Sequence, residues 1–164
     1  MTGKGIAMPG VVDRRSLLAG LAGAAILPLT APARATAPVM IVHRDALCGC
    51  CEAWVAHIRA AGIEAKVIVE ADMSAIKQRL RVPEALTSCH TAEIGGYIIE
   101  GHVPAGAVLK LLNEKPEAIG LSAPGMPIGS PGMETGGKPE TYDVVLFGAK
   151  GATRFGRYRG AQPV

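Results

Sequence analysis

The sequence from residue 38 onward predicts a mixed α/β fold, because short apolar runs alternate with helical segments. Pro38 to His43 is an apolar run typical of a buried strand, and a segment rich in helix-forming residues extends from Cys50 to Ala61. Gly62 can end this helix, and Ala65 to Val69 has the composition of a second strand. A strand, a helix and a strand in this order predict a parallel pair with a right-handed crossover.

A second helical segment follows the parallel pair. Asp72 can cap it by accepting hydrogen bonds from the first N–H groups, and Pro83 marks its end. The apolar residues Ile76 and Leu80 are four positions apart and therefore lie on one face. The segment thus predicts a short amphipathic helix.

A β-hairpin and a third helix complete the predicted fold. Thr91 to Ile94 and Tyr97 to Glu100 are strand-like runs joined by Gly95-Gly96, a pair typical of a tight hairpin turn. Pro104 suits the first position of the helix that follows. The apolar face of that helix contains three residues: Val108, Leu109 and Leu112. The resulting order, β-α-β-α-β-β-α, predicts a thioredoxin-like fold.

The composition changes after Ile119. Residues 120–139, here called the Gly/Pro/Met loop, are rich in glycine and proline and predict a long connection without regular structure. Two Pro-Gly-Met triplets in this loop end at Met126 and Met133. Two strand-like runs around residues 148–151 then predict a C-terminal β-hairpin.

The N-terminal segment has the pattern of an export signal. Arg14-Arg15 precedes an apolar run from Leu17 to Leu29, and Ala33-Arg34-Ala35 offers a cleavage site. The adjacent arginines favour the twin-arginine route, and the run is shorter than the roughly 20 residues that a membrane span needs. We therefore expect residues 1–35 to be a cleaved signal and residues 36–164 to be a single thioredoxin-like metal-binding domain in the periplasm.

Removal of the signal changes the charge balance. The whole chain has 17 basic and 14 acidic residues, and the signal contains four of the basic residues and one of the acidic residues, which leaves thirteen of each. A mature chain with no net charge does not favour a nucleic-acid partner, which would require a basic surface. No membrane span is expected in the mature form.

Three of the four cysteines fall within four positions of one another. Cys48, Cys50 and Cys51 lie where the first predicted helix begins, and Cys89 lies just ahead of the hairpin. A helix start favours the thiolate, which attacks disulfides and binds soft metals. The pattern therefore leaves three interpretations: a structural disulfide, a thiol-disulfide oxidoreductase that uses the C-x-x-C pair Cys48 and Cys51, or a soft-metal site.

Two features favour the metal site. Cys50 is surplus to a dithiol exchanger, which needs two sulfurs. Thioredoxin-like enzymes carry a cis-proline ahead of the hairpin, but this chain has no proline between Pro83 and Pro104. Cys89 and His90 stand there instead, and both are good metal ligands. The predicted fold brings this segment close to the cysteines at the helix start.

The donor types favour copper among the soft metals. Thiolate-rich sites select Cu(I), zinc or iron–sulfur clusters, and the C-x-C-C spacing fits neither the common cluster patterns nor structural zinc knuckles. Met126 and Met133 add thioethers that suit copper, unless their loop is an ordinary turn-rich connection. His102 can either reach the site or face solvent, and His43 and His57 are weaker candidates.

Three motifs together resemble a known family. C-G-C-C-x-x-W-V-x-H-I, S-C-H-T-A-x-I-G-G-Y-x-I-E-G-H-V-P and G-M-P-x-G-S-P-G-M are similar to segments of the periplasmic CopG-like copper-resistance family. The resemblance extends from Val39 to Tyr158. It implies a thioredoxin-like fold that binds copper through clustered cysteines, with two histidines close to the same motif. The cysteines are Cys48, Cys50, Cys51 and Cys89, and the histidines are His90 and His102.

The resemblance also implies a role in copper tolerance. The expected ligand is Cu(I), in one or more ions because four thiolates can bridge several, and a change of copper's oxidation state is a further expectation. The expected partners are copper ions and other periplasmic copper-handling proteins. The oxidoreductase that uses Cys48 and Cys51 is the alternative.

Overall fold

The computed structural model describes residues 1–3 and 38–164. The predicted export signal lies almost entirely outside these residues, so the signal and the domain boundary after residue 35 stay predictions. In the part of the chain that is described, no helix has the length and apolarity needed to cross a membrane.

The described residues form three α-helices and eight strands. In chain order these elements are β1 (Met40–Arg44), α1 (Gly49–Ala60), β2 (Ala65–Val69), α2 (Met73–Arg79), β3 (Thr91–Ile94), β4 (Tyr97–Gly101), α3 (Ala105–Glu114), β5 (Gly120–Ala123), β6 (Thr141–Gly148), β7 (Gly151–Arg159) and β8 (Gln162–Pro163). A short 3-10 turn at Glu84–Leu86 precedes β3. The mixed α/β class and the order β-α-β-α-β-β-α are confirmed.

The eight strands form one sheet in the order β2-β1-β3-β4-β5-β6-β7-β8. β1 is parallel to β2 and antiparallel to β3, as expected for a βαβ unit joined to a hairpin. His43 near the end of β1 pairs with Thr91 at the start of β3. The end of β1, from which the chain continues to α1, therefore lies beside the start of β3, where the preceding segment enters the sheet.

Helix α1 buries one apolar face. Trp54, Val55 and Ile58 are buried, and Cys51 joins them one turn earlier. The indole Nε1 of Trp54 donates a hydrogen bond to the carbonyl oxygen of Val103 at 2.9 Å, so the ring is both packed and satisfied. These contacts fix the start of α1 relative to the turn that follows β4.

The predicted turn and cap are also confirmed. Gly95 and Gly96 join β3 to β4 with φ angles of 57° and 85°, the left-handed pair that a type I′ turn requires. The side chain of Asp72 accepts hydrogen bonds from the N–H groups of Ser74 and Ala75. α2 ends before the predicted position because Arg81 adopts a φ of 57°, which helical backbone does not allow.

The predicted Gly/Pro/Met loop begins with a strand rather than with irregular backbone. Gly120 starts β5, which pairs with β4 on one side and β6 on the other. A Cβ at this position would lie 1.8 Å from the carbonyl oxygen of Ile98, so only glycine fits. The glycine that suggests a loop in the sequence is therefore required because the neighbouring strand packs so closely.

The predicted apolar face of α3 is partly wrong. Leu109 is 46% exposed, whereas Val108 is fully buried. The buried side instead contains Ala105, Ala107 and Leu111. Alanines on this face let the helix approach the sheet closely, and hydrophobicity alone does not identify them. The C-terminal hairpin formed by β6 and β7 is confirmed.

Candidate metal centre

The structure brings all four cysteines together, and we call Cys48, Cys50, Cys51 and Cys89 the sulfur cluster. Cys48 is the residue before α1, and the next two members lie in the first turn of that helix. Cys89 belongs to the segment that leads into β3. The Sγ atom of Cys50 lies 3.8 Å from that of Cys89, and the four sulfurs are within 4.8 Å of one another.

Two members of the sulfur cluster are bonded to each other. Cys48 and Cys51 form a disulfide with a Cα–Cα distance of 5.4 Å, while Cys50 and Cys89 are free thiols. Sulfurs in a disulfide are not thiolate ligands. A site with four thiolates, as the sequence predicts, therefore requires reduction of this bond first.

Two histidines contact the free thiol of Cys89. The Sγ atom lies 3.0 Å from His102 Nε2 and 3.2 Å from His90 Nδ1. His102 Nδ1–H donates to the carbonyl oxygen of Pro131 at 2.8 Å, so its Nε2 carries the lone pair and accepts from the thiol. Cys89, His90 and His102 thus form a second group of donors within 4.8 Å that shares Cys89 with the sulfur cluster.

Burial keeps this second group neutral. It lowers the pKa of His90 well below its ordinary value, with the neighbouring His102 and Lys77 acting in the same direction. It also lowers the pKa of His102. Burial, followed by the adjacent Cys50, raises the pKa of Cys89 to about 12. Neutral imidazole is the form that binds metals, whereas the Cys89 thiol must release its proton to become a ligand.

The ring of His90 is held by its neighbours. It packs against Trp54 with the ring centroids 4.3 Å apart and the ring planes tilted by 42°, and it meets His102 edge to face at 5.0 Å. The ring is fully buried, and its Nε2 has no hydrogen-bond partner among the described residues. The orientation that points Nδ1 at Cys89 is therefore set by packing.

A buried carboxylate, which the sequence analysis missed, anchors the Cys89 segment. Glu100 is fully buried on β4 and accepts hydrogen bonds from the backbone N–H of Ser88 and the hydroxyl of Thr91, both at 2.6 Å. Lys77 Nζ lies 2.5 Å from the same carboxylate and neutralises it. The position of Glu100 in an otherwise apolar strand is the one sequence feature that could have indicated this role.

An arginine holds the segment that carries Cys48, and the sequence analysis did not identify it either. The Nη1 group of Arg44 donates to three carbonyl oxygens of this segment, those of Asp45, Ala46 and Cys48. Its Nη2 group pairs with Glu52 in the first turn of α1 at 2.6 Å. One side chain thus ties the connection after β1 to the helix.

The Gly/Pro/Met loop packs against the start of α1. A Cβ at Gly132 would lie 2.6 Å from the carbonyl oxygen of Cys50, so the loop approaches the helix as closely as glycine allows. Met126 is 54% exposed, and Met133 lies in a turn where its N–H bonds to the carbonyl oxygen of Ser130. Their role as ligands stays a prediction.

The other two histidines have partners of their own. His57 Nε2 accepts a hydrogen bond from the N–H of Ala105 at 3.0 Å and thereby caps α3. His43 lies between Glu70 at 2.7 Å and Glu93 at 3.0 Å, and we call these three residues the His43 triad. Both histidines are engaged away from the sulfur cluster, in line with their weaker standing as candidates.

The fold and the site together define a mixed α/β protein whose described residues bring soft and borderline metal donors close together. The family model described as "Protein of unknown function, DUF411" matches residues 86–133, a range that includes Cys89, His90, His102 and both candidate methionines. No curated protein matches the chain at a significant level.

Two solved structures are similar to this chain. The structure described as "Copper resistance protein copG- Form 1" is 48% identical with a TM-score of 0.71, and the match covers 76% of this chain and 99% of the other. "Copper resistance protein copG- Form 2" has the same identity and TM-score, with 74% and 98% covered. The chain belongs to the CopG-like copper-resistance family.

Proposed function

We propose that this protein is an exported copper-handling protein that binds Cu(I) through the sulfur cluster and the two adjacent histidines. Its relatives are described as copper resistance proteins, and copper is a metal that thiolates and imidazoles both bind. The observation that carries the proposal is the position of Cys89, which contacts other cysteines of the sulfur cluster as well as two neutral imidazoles.

The geometry supports room for more than one copper ion. Cys89 belongs to both donor groups, and a thiolate can bridge two soft ions. After reduction the pocket offers four sulfurs and two ring nitrogens, more donors than a single Cu(I) ion requires. Met126 and Met133 are proposed as additional thioether ligands from the loop that packs on α1.

The mixed donor set supports a change of copper's oxidation state. Thiolates favour Cu(I), whereas imidazole also suits Cu(II). We therefore include interconversion of the two states in the proposed function. The N-terminal signal pattern supports the periplasm as the place of action, with other copper-handling proteins there as the source or recipient of the metal.

A thiol-disulfide oxidoreductase is the second candidate, and the Cys48–Cys51 disulfide is the observation that favours it. This reading requires only those two cysteines. Rapid reduction of insulin by the reduced protein without copper, unaffected by C89S, is the result that supports it.

The test of the proposed function is an anaerobic Cu(I) titration of the reduced mature protein against a competing chelator, with free thiols counted in the same samples. We expect tight binding of at least one copper ion per chain, with thiols becoming unreactive as copper fills the site. H43Q is the matched control, because His43 is a buried histidine outside the site and its replacement should leave binding intact. Weak binding that leaves all four thiols reactive would overturn the proposal.

A further inference from the structure

Strand β2 lies at one edge of the eight-stranded sheet. It pairs with β1 on its inner side, and no strand among the described residues pairs with its outer side. The N–H of Glu70, the residue after β2, donates to the carbonyl oxygen of Arg44 on β1. Because successive residues of a strand direct their backbone groups to alternate sides, the even-numbered residues of β2 face β1. The N–H and C=O groups of Val67 and Val69 therefore point outward.

One end of this outer side is covered by a side chain. The Nη2 group of Arg59 donates to the carbonyl oxygen of Ala65 at 2.8 Å, so the first outward carbonyl of β2 has a partner. The outward groups of Val67 and Val69 have no hydrogen-bond partner within the part of the chain that is described. We call these two valines and Ile68 between them the open edge.

The open edge is apolar as well as unpaired. Val67, Ile68 and Val69 are all exposed large hydrophobic residues. Natural sheets usually protect an edge strand with charges, a proline, a bulge or a very short length, because unprotected edges pair with other strands. The opposite edge of this sheet has such protection, since β8 has only two residues and ends in Pro163. The open edge has none, so its sequence suits pairing with another strand.

We propose that the open edge pairs with the open edge of a second copy of this chain. The two strands run antiparallel about a two-fold axis at Ile68, so that the same surface is used by both copies. Val67 of each copy lies opposite Val69 of the other, and each such pair exchanges two backbone hydrogen bonds. Ile68 meets its counterpart on the axis. Cross-strand pairs of β-branched side chains add to the stability of the ladder.

The charges beside the open edge fit this register. Lys66 precedes it and Glu70 follows it, so each lysine lies opposite a glutamate of the other copy on either side of the axis. Glu70 contacts His43 through Oε1 and is partly exposed, which leaves its second oxygen for the lysine. A register centred on Val67 would instead place Glu64 opposite Glu70, and like charges directly opposite each other are destabilising. Charge complementarity therefore selects the axis at Ile68.

The contact is small. β2 has five residues, and a ladder between two such strands is short compared with stable interfaces, which bury about 1,200–2,000 Å². The dimer therefore forms and dissociates with protein concentration. The open edge is formed by β2 and does not include the sulfur cluster, so the pairing does not depend on metal.

The test is sedimentation velocity of the mature protein at increasing concentration. The protein is kept reduced and free of copper, so that neither intermolecular disulfides nor bridging metal can join the chains. We expect the sedimentation coefficient to rise from that of a monomer to that of a dimer. I68K should remain a monomer at every concentration, because it places two lysines opposite each other on the axis.

The matched control is L109K. Leu109 on α3 is 46% exposed and Ile68 is 43% exposed, so both variants replace a similarly exposed apolar residue by lysine. L109K should form the dimer as the wild type does, and circular dichroism checks that both variants fold. A wild-type protein that is a monomer at every concentration, or a dimer that I68K leaves intact, would overturn the proposal.

Amide hydrogen exchange on the wild type locates the contact without any substitution. The N–H groups of Val67 and Val69 should exchange rapidly in the dilute monomer and more slowly as the dimer forms. Slow exchange of both amides already in the monomer would overturn the proposal, because another segment of the same chain would then cover the edge. Rapid exchange of both amides in the dimer would overturn it too, because the copies would then meet elsewhere.

Discussion

His43 on β1 and His102, which directly follows β4, are both buried histidines, but their surroundings differ. In the His43 triad both ring nitrogens face carboxylates, Glu70 and Glu93. In the candidate metal centre one nitrogen of His102 donates to a backbone carbonyl, and the other faces the thiol of Cys89. The first ring has no nitrogen to spare, whereas the second directs a lone pair at a sulfur.

The hydrogen-bond partners of a buried histidine therefore decide whether one of its ring nitrogens can bind a metal. A ring nitrogen becomes a ligand when its other nitrogen is held by an acceptor, as Pro131 holds His102. Two carboxylates instead occupy both sides of His43, so each of its ring nitrogens is held by a hydrogen bond. Burial alone does not separate the two cases.

The largest effect is expected from C89S, which removes the donor shared by both groups. Changes to groups that merely orient ligands cost about 10–100-fold in metal affinity, so loss of this thiolate should cost more than about 100-fold in Cu(I) affinity. Competition with a chelator of known affinity measures it. An affinity within a few-fold of the wild type would mean that Cys89 is not the centre of the site.

The comparison itself is tested by H102Q against H43Q. H102Q should lower Cu(I) affinity by at least about 10-fold, because the loss of a ring nitrogen that binds the metal costs no less than the loss of a group that orients a ligand. H43Q should leave the affinity unchanged but lower the free energy of unfolding by about 1–3 kcal/mol, because two carboxylates lose hydrogen-bond partners. Chelator competition and urea unfolding on both variants give the four values. Equal losses of affinity would remove the distinction between the two regions.

The different surroundings of His43 and His102 could not be predicted from the sequence. The Gly95-Gly96 turn, the Asp72 cap and the convergence of the cysteines follow from local patterns and element order. Which partners surround His43 or His102 does not, because Glu70, Glu93 and Pro131 arrive from distant parts of the chain.

The anchors of the site were missed for the same reason. Arg44 is an ordinary charged residue in the sequence, and Glu100 differs only by its position in an apolar strand. Only the fold places both against the backbone of the cysteine segments. The state of Cys48 and Cys51 was also left open, because a C-x-x-C pattern suits a dithiol, a disulfide or a metal site. β5 was not predicted because it consists mainly of glycine and small residues, which usually indicate a loop.

A smaller effect is expected on the pH dependence of stability. Burial lowers the pKa of His57, His90 and His102 in the folded state. The charge of Glu134 acts against this shift at His57 and at His102. The unfolded chain takes up protons below about pH 6.5 while these folded-state rings do not, so stability should fall as the pH drops through that value. Urea unfolding of reduced, copper-free protein at pH 7.5 and 5.5 measures the fall, and H57Q should reduce it. Equal stability at both pH values would show that the rings accept protons when folded.

The smallest effect is expected at the partly exposed Asp143 on β6, which pairs with Arg154 and Arg157. Its hydrogen bond to Arg157 lowers the pKa of this carboxyl, so the pairing contributes stability above the ordinary pKa and loses it as the pH falls through the lowered value. D143N should change neither Cu(I) affinity nor stability appreciably at pH 7, because solvent screens the pair. Thermal unfolding and the Cu(I) titration check both, and a loss comparable to that of H43Q would mean that exposed charge pairs matter as much as buried ones.

We propose that copper is bound where Cys89 meets the imidazole of His102. X-ray absorption at the copper edge, on reduced protein loaded with Cu(I), tests it most directly when wild type, H102Q and H43Q are compared. We expect sulfur ligands in all three and an imidazole contribution that disappears in H102Q but persists in H43Q. A spectrum without sulfur ligands, or an imidazole contribution that H43Q removes and H102Q does not, would contradict it.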